Sequence, residues 1–273
     1  MKIDVIVPVY NAFNVLQDCL KSLEKYQSNI NKIIIINDGS SDSRILPYLE
    51  KITKKNNWQL IHQNENRGFV KTANKGLKLS DNHSVLLNSD TIVTKYWLKA
   101  FKMSLKENLD LGTATPWSNN AEICSFPNFL TNHSVPKKIK KLGKLLYKKY
   151  KPHYPVIPTA VGFCMLISKK AKQMVGYFDE DHFGHGYGEE NDYSIRVEQA
   201  GLKNILCDNS YVAHVGNQSF SDLGLKPSEE TMKRLLDKHP SYLEMIQEYI
   251  RKDKLIDIRN KIIEILQDEG LEL

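Results

Sequence analysis

Through its first 110 residues the chain alternates short β-branched apolar runs with amphipathic stretches, and this alternation constrains the fold more than any other feature. Residues 4–9 (DVIVPV) and the four isoleucines at 33–36 read as strands covered on both faces, since an unbroken apolar run must be buried above and below. Between them Val15, Leu16, Cys19, Leu20 and Leu23 recur at helical spacing. A helix is expected up to about residue 55, a strand at 58–62, a helix at 68–79, a strand at 84–87 and a helix at 94–106. Such a series builds an α/β fold, a Rossmann-like, mostly parallel sheet flanked by helices. Ligands of open sheets bind beyond the carboxyl ends of the strands. Those ends carry Tyr10-Asn11, Asp38-Gly39-Ser40 and Asn88-Ser89-Asp90, so three polar clusters converge on one edge.

Beyond residue 110 the order loosens. Residues 112–116 and 160–168 read as strands, 117–136 as loop, 137–151 as a basic helix and 189–201 as a helix. Short extended pieces are expected at 204–207 and 211–215, and helices at 228–238 and 242–267, separated by Pro240. The expected division is a main domain over 1–222, with a basic helical insertion at about 134–152, and a C-terminal helical extension over 223–273. That extension is amphipathic and suits packing on the core or on a second copy in a homo-oligomer.

Composition removes several classes. Among 273 residues, 14 Gly and four Cys exclude collagen-like and disulfide-scaffold chains. Cys19, Cys124, Cys164 and Cys207 are far apart, without metal-site spacing, and are expected to pack as small hydrophobes. No apolar run approaches the roughly 18 residues of a membrane span. The start, MKIDVIVPVYN, lacks the features of a signal peptide, so a soluble cytoplasmic protein is expected.

The formal charge of +6 is local: residues 137–151 hold eight lysines and no acid, and the remainder is slightly acidic. There Ile139, Leu142, Leu145, Leu146 and Tyr150 share one helical face. The helix either packs that face on the domain or lies peripherally on anionic lipid at the inner face of the cell membrane. Nucleic acid is not an expected partner, because no aromatic-rich basic sheet or RNA motif accompanies the lysines.

Three sites carry chemistry on residue type alone. Asp90, at a strand end, either closes a turn or holds Mg²⁺ or Mn²⁺, hard cations that share oxygen ligands with substrate phosphates. Asp38 has the same two readings, with an Asx turn as the plain one. In Gly186-Tyr187-Gly188-Glu189-Glu190-Asn191-Asp192, acids at a helix start suit the helix dipole. Alternatively one is a general base, since a carboxylate beside another acid binds its proton more tightly, and the glycines let backbone approach a ligand or move as a lid. His214, in an apolar strand, becomes a metal ligand only if the fold returns it to Asp90.

Seven segments in order carry a resemblance: VIVPVYN at 5–11, INDGSSD at 36–42, NENRGFVKTANKG at 64–76, LLNSDT at 86–91, TPWSNNAEICSFP at 115–127, GEENDYSIR at 188–196 and AHVGNQS at 213–219. Over roughly residues 3–220 the chain resembles family 2 glycosyltransferases of GT-A fold, in the branch similar to rhamnosyl- and galactofuranosyltransferases. The resemblance implies that Pro8, Val9 and Tyr10 line a nucleobase, with Asp38 accepting a hydrogen bond from uracil or thymine. Arg67 and Gly68 would lie near the phosphates, and Asp90 would bind the divalent metal. Asn88 stands where many relatives carry the first Asp of a DxD motif, which leaves Asp90 as the carboxylate ligand and puts Asn88 and Ser89 nearer the ribose. His214 would complete the metal site. Glu190 matches the family's base, with Glu189 and then Asp192 as alternatives. Trp117, Asn119 and Asn120 would face the acceptor or the donor sugar.

The implied reaction is inverting transfer from a UDP- or dTDP-sugar to an acceptor hydroxyl on a glycan, glycoprotein or lipid-linked carrier during bacterial surface-glycan assembly. A nucleotidyltransferase is the alternative enzyme, but 8–13 (PVYNAF) lacks its Gly-rich basic phosphate loop, and GxGxxG of a dinucleotide fold is absent too. A non-catalytic nucleotide-sugar or carbohydrate-binding module is the third reading.

Overall fold

The structure is a computed structural model that describes residues 1–184, 186–216 and 229–272. Strands β1 (Ile3–Val9), β2 (Lys32–Asp38), β3 (Gln59–Gln63) and β4 (His83–Leu87) are parallel, joined by helices α1 (Phe13–Lys25), α2 (Ile45–Asn56) and α3 (Phe69–Lys78). Along β1 the pleat sends Val5, Val7 and Val9 into one apolar layer with Leu16, Leu20, Ile33 and Ile35. Ile6 faces the opposite layer with Ile34, Ile36, Val70, Ala73 and Leu77. Both faces are covered, as the isoleucine run requires.

The second half adds β5 (Thr91–Val93), α4 (Trp97–Glu107), β6 (Leu111–Trp117), α5 (Ile139–Lys149), β7 (Cys164–Ile167), α6 (Lys169–Val175), α7 (Glu180–Phe183), α8 (Glu189–Gln199) and β8 (Lys203–His214). Helices α9 (Glu229–Lys238), α10 (Tyr242–Lys252) and α11 (Ile256–Asp268) follow. The eight strands run β3-β2-β1-β4-β7-β6-β8-β5. Strand β7 is antiparallel to both neighbours, so its first residues lie at the edge where β1, β2, β4 and β6 end.

Two expected pieces near the end of the sheet are one strand. Asp208, Asn209 and Ser210 separate the two expected pieces, yet all three are buried inside β8. Asp208 accepts hydrogen bonds from Tyr150 Oη (3.0 Å) and from the backbone N–H groups of His153 (2.9 Å) and Tyr154 (3.3 Å), so this polar stretch satisfies a neighbouring loop. The register slips there, from Pro116↔Cys207 to Trp117↔Tyr211. Beyond the slip β8 pairs with β5, and Thr91 stands opposite His214. The β5 pairing, too short to stand out in sequence, returns the end of β8 to the turn after β4.

The lysine-rich helix packs by its apolar side: Leu142, Leu145, Leu146 and Tyr150 are buried, each leucine contributing about 2 kcal/mol relative to exposure. Gly143 lets α5 approach Thr94, since a Cβ there would lie 2.2 Å from its hydroxyl. All eight lysines are exposed. The helix expected at 242–267 is broken at Asp253, whose φ of 35° is left-handed. Tyr249, Leu255, Ile262, Leu266 and Leu271 join the same apolar cluster as the sheet and α5. The expected boundary at 222/223 and the end of the seventh motif, 217–219, lie outside the described residues. The four cysteines are free and buried, as packing residues should be. No helix among the described residues is long and apolar enough to cross a membrane.

Candidate active site

A cavity of about 340 Å³ runs along the sheet edge. The strand order fixes its layout: Asp38 leaves β2, Pro8, Val9 and Tyr10 end β1, and Asn88, Ser89 and Asp90 follow β4. Then come Gly162 and Phe163 at the start of β7, and Asn120, Ala121 and Glu122 beyond β6. All of these line the cavity, with Glu189, Glu190 and His214. The three clusters expected to converge thus meet, except that Asn11 turns away to hydrogen-bond the 40–42 turn.

The end of the cavity at β2 is organised by the fold itself. Asp38 is buried and accepts hydrogen bonds from the Arg67 N–H (2.8 Å) and Gln63 Nε2 (2.7 Å). Burial raises its pKa, and these bonds oppose the rise. Gly39 lies at φ 64°, and a Cβ would come within 2.4 Å of the Glu65 backbone, so the turn requires glycine. Arg67 therefore contributes its backbone here, while its exposed side chain pairs with Glu65 (2.9 Å). Neither Arg67 nor Gly68 lines the cavity.

At the centre, Asp90 Oδ1 lies 3.5 Å from His214 Nε2. The other ring nitrogen, Nδ1, is 2.8 Å from the Asn120 carbonyl and donates to it, which leaves Nε2 facing the carboxylate. Phe163 stacks on the imidazole at 5.1 Å. Burial draws the His214 pKa down, but hydrogen bonding and charge from Asp90 outweigh it and the net shift is upward. Among the described residues no three His, Cys, Asp or Glu side chains form a closed metal cage. One carboxylate and one oriented imidazole nonetheless fit a divalent ion that takes its remaining ligands from water and substrate phosphates.

Glu189 and Glu190 open the first turn of α8, after Gly188 at φ 103°. Burial raises both, and each carboxylate's neighbour adds to the rise: Glu190 reaches about 7, with Glu122 as the second cause, and Glu189 rises well above the usual range, with Glu190 as its second cause. The Oε2 atoms of both are buried without a hydrogen-bond partner. Gly162 lies beside Glu190, 3.8 Å from where its Cβ would be.

Three expected contacts are elsewhere. Asp192 points into the core, where Arg196 Nε (2.9 Å), Lys238 Nζ (2.7 Å) and His239 Nε2 (2.8 Å) surround it. Burial raises its pKa, yet these partners outweigh burial and hold it below the usual value. Trp117 is fully buried and donates to the Asp208 carbonyl (3.1 Å). Asn119 clamps backbone: its amide donates to the carbonyls of His133 (2.7 Å) and His214 (2.9 Å), and its oxygen accepts from the His214 N–H (3.0 Å). It positions His214 and does not line the cavity. Of that trio only Asn120 does. Sequence reasoning passed over Glu122, Gly162 and Phe163. Glu122 lay inside a quoted motif, and its acid three residues after Asn119 was the available signal.

An open α/β sheet with this strand order and a polar cleft along its carboxyl edge is a GT-A fold, and solved structures agree. The chain aligns over its whole length with 55% of GalNAc-T7, solved with UDP, GalNAc and Mn²⁺ (TM-score 0.68, 14% identity). It aligns over 97% with 72% of Staphylococcus aureus TarS 1–349 in complex with UDP-GlcNAc (TM-score 0.61, 17% identity). The mannosyltransferase PcManGT of Pyrobaculum calidifontis, with GDP-Man and Mn²⁺, matches 99% of the chain over 76% of its own (TM-score 0.59, 12% identity). The chain belongs to glycosyl transferase family 2, whose profile matches residues 4–174. Poly-beta-1,6-N-acetyl-D-glucosamine synthase of S. aureus is 29% identical over 184 residues, which is 66% of this chain and 42% of that protein, so the chain spans less than half the length of this relative.

Proposed function

We propose that the chain is an inverting, metal-dependent glycosyltransferase that moves a sugar from a UDP- or dTDP-linked donor to an acceptor hydroxyl in bacterial surface-glycan or glycoprotein assembly. One observation carries the reading: a single cavity joins the buried Asp38, the Asp90–His214 pair and Glu190, whose pKa of about 7 suits a general base near neutral pH. Tyr10 packs on the nucleobase, and Asp38 accepts from its ring N–H. Asn88 and Ser89 lie toward the ribose. Among the described lining residues there is no Lys or Arg to neutralise a diphosphate. A divalent cation, Mn²⁺ or Mg²⁺, held by Asp90 and His214 supplies that neutralisation as a Lewis acid.

Glu190 takes the acceptor's proton as the acceptor oxygen bonds to the anomeric carbon. The bond from that carbon to the diphosphate oxygen breaks on the opposite face, the electron pair leaves with the nucleotide, and configuration inverts. Glu189 is the alternative base. UDP is favoured because one relative is named for an N-acetylglucosamine polymer and one neighbour was solved with UDP-GlcNAc. The order of the seven motifs keeps the rhamnosyl- and galactofuranosyl-type sugars as the second reading. We place the work in the cytoplasm, with 1–222 as transferase domain, 223–273 as extension, and the exposed lysines of 137–151 able to meet anionic lipid.

The test is Mn²⁺-dependent release of UDP or dTDP from a nucleotide-sugar panel, followed by product analysis. At least one donor should turn over, and Asp90→Ala or Glu190→Ala should lower the rate by at least about 10²-fold. Near-normal turnover in both variants refutes the assignment. Flotation with vesicles with and without anionic lipid tests the lysine face.

A further inference from the structure

We propose that Glu122 makes the acceptor side of the cleft selective by charge: with Glu189 and Glu190 it forms a carboxylate wall that admits a neutral or ammonium-bearing sugar and turns away one carrying a carboxylate or phosphate near the reacting hydroxyl. The inference rests on reading this cavity as a transferase site, and it names the acceptor class.

Position is the first support. Along the edge the nucleotide clusters sit on β2, β1 and β4, whereas Glu122 follows β6, past the start of β7 where Gly162 meets Glu190. Backbone is the second. Glu122 has φ 47°, a left-handed conformation unusual for a side chain of its size. A hydrogen-bonded turn imposes it: Ser125 N–H donates to the Glu122 carbonyl (3.1 Å), Cys124 N–H to the Ala121 carbonyl (2.8 Å) and Ala121 N–H to Ser125 Oγ (3.1 Å). The neighbours Ile123 and Cys124 are anchored in the core, and Glu122 is left exposed along the cavity. Such local strain recurs at ligand clamps.

The third support is unmet bonding. Glu189 is 5% exposed and lines the cavity, yet its Oε2 has no partner. A hydroxyl, donor and acceptor at once, satisfies that atom whether or not Glu189 holds its proton, and the repulsion of an anion falls to Glu122 and the ionised Glu190. Nearby cations are committed elsewhere: Lys238 to Asp179 and Asp192, Arg196 to Asp192. An incoming anion therefore meets like charge with no cation among the described lining residues to offset it.

The probes are methyl glucosaminide, methyl glucoside and methyl glucuronide, titrated by ligand-observed NMR against the whole chain saturated with UDP and Mn²⁺. The glucuronide should bind at least about 10-fold more weakly than the glucosaminide. Glu122→Gln should shrink that gap at least 3-fold, to about a third or less, and Glu122→Asp, which keeps the charge, should preserve it. Retained UDP binding verifies that each variant is folded. Equal responses from the charged sugars, including none from either, overturn the proposal, as does a gap that Glu122→Gln leaves unchanged. Release of UDP from nucleotide sugars without acceptor is measured in parallel. If release is absent while the charge order holds, the transferase reading fails and the charge selectivity stands; if release occurs without the charge order, the reverse is true.

Discussion

Glu190 and Asp192 stand two residues apart on one helix and have opposite fates. Asp192 is enclosed by Arg196, Lys238 and His239, its oxygens are paired, and its pKa is lowered. Glu190 faces the cavity with an unpartnered oxygen and a pKa raised to about 7. The two sides of α8 thus separate jobs: carboxylates satisfied by the fold hold shape, and carboxylates left unsatisfied are available to a ligand. Asp38 lies between the two cases: its Oδ1 accepts from Gln63 and the Arg67 N–H, yet it still lines the cavity, whereas the Oε2 atoms of Glu189 and Glu190 have no donor.

The largest effect should come from breaking the satisfied side. Asp192→Ala removes the carboxylate shared by Arg196, Lys238 and His239, and should cost about 3 kcal/mol by urea or thermal unfolding, the low end for a buried pair because Lys238 keeps Asp179 and both cations keep some contact with water. The wild-type contribution of this carboxylate is present above its unfolded pKa of 3.8 and is lost as pH falls through its lower folded value. A variant as stable as wild type at neutral pH would erase the contrast.

Next come the cavity residues. Asp90→Ala and Glu190→Ala should abolish most transfer, by at least about 10²-fold, with the fold retained in circular dichroism. The base must be ionised, so wild-type turnover should fall as pH drops below about 7, and the apparent value belongs to the Glu189–Glu190 pair together.

Stability should move the other way at the same site. Glu190 binds its proton more tightly folded (about 7) than unfolded (4.5), so its contribution is full below 4.5 and declines as pH rises to 7. Glu190→Gln should remove that slope and raise stability at pH 8 by about 1–3 kcal/mol, while turnover is lost. The smallest change is expected at the surface, where Lys149→Ala removes an exposed pair with Glu269 and should shift stability by under about 1 kcal/mol.

The first half of the sheet was legible because its contacts are nearly local in sequence. Each strand is a contiguous apolar run, each connection crosses over by a helix, and Tyr10, Asp38 and Asp90 sit where the runs end. The second half was harder. Strand β8 hid behind buried polar residues whose partners are Tyr150, His153 and Tyr154, more than 50 positions earlier. Trp117 and Asn119 carry residue types that suit sugar contact, and nothing in their spacing reveals that one fills the core and the other clamps backbone.

Sequence by itself determined the α/β class, the succession of the first four strands along the chain and the polar clusters at their ends, because hydrophobic periodicity acts over a few residues. Tertiary structure alone decided that His214 returns to Asp90, that Asp192 is enclosed by cationic partners while Glu190 lines the cavity, and that Glu122 joins the cleft. A carboxylate's role depends on which donors surround it, and those donors arrive from helices and strands distant along the chain.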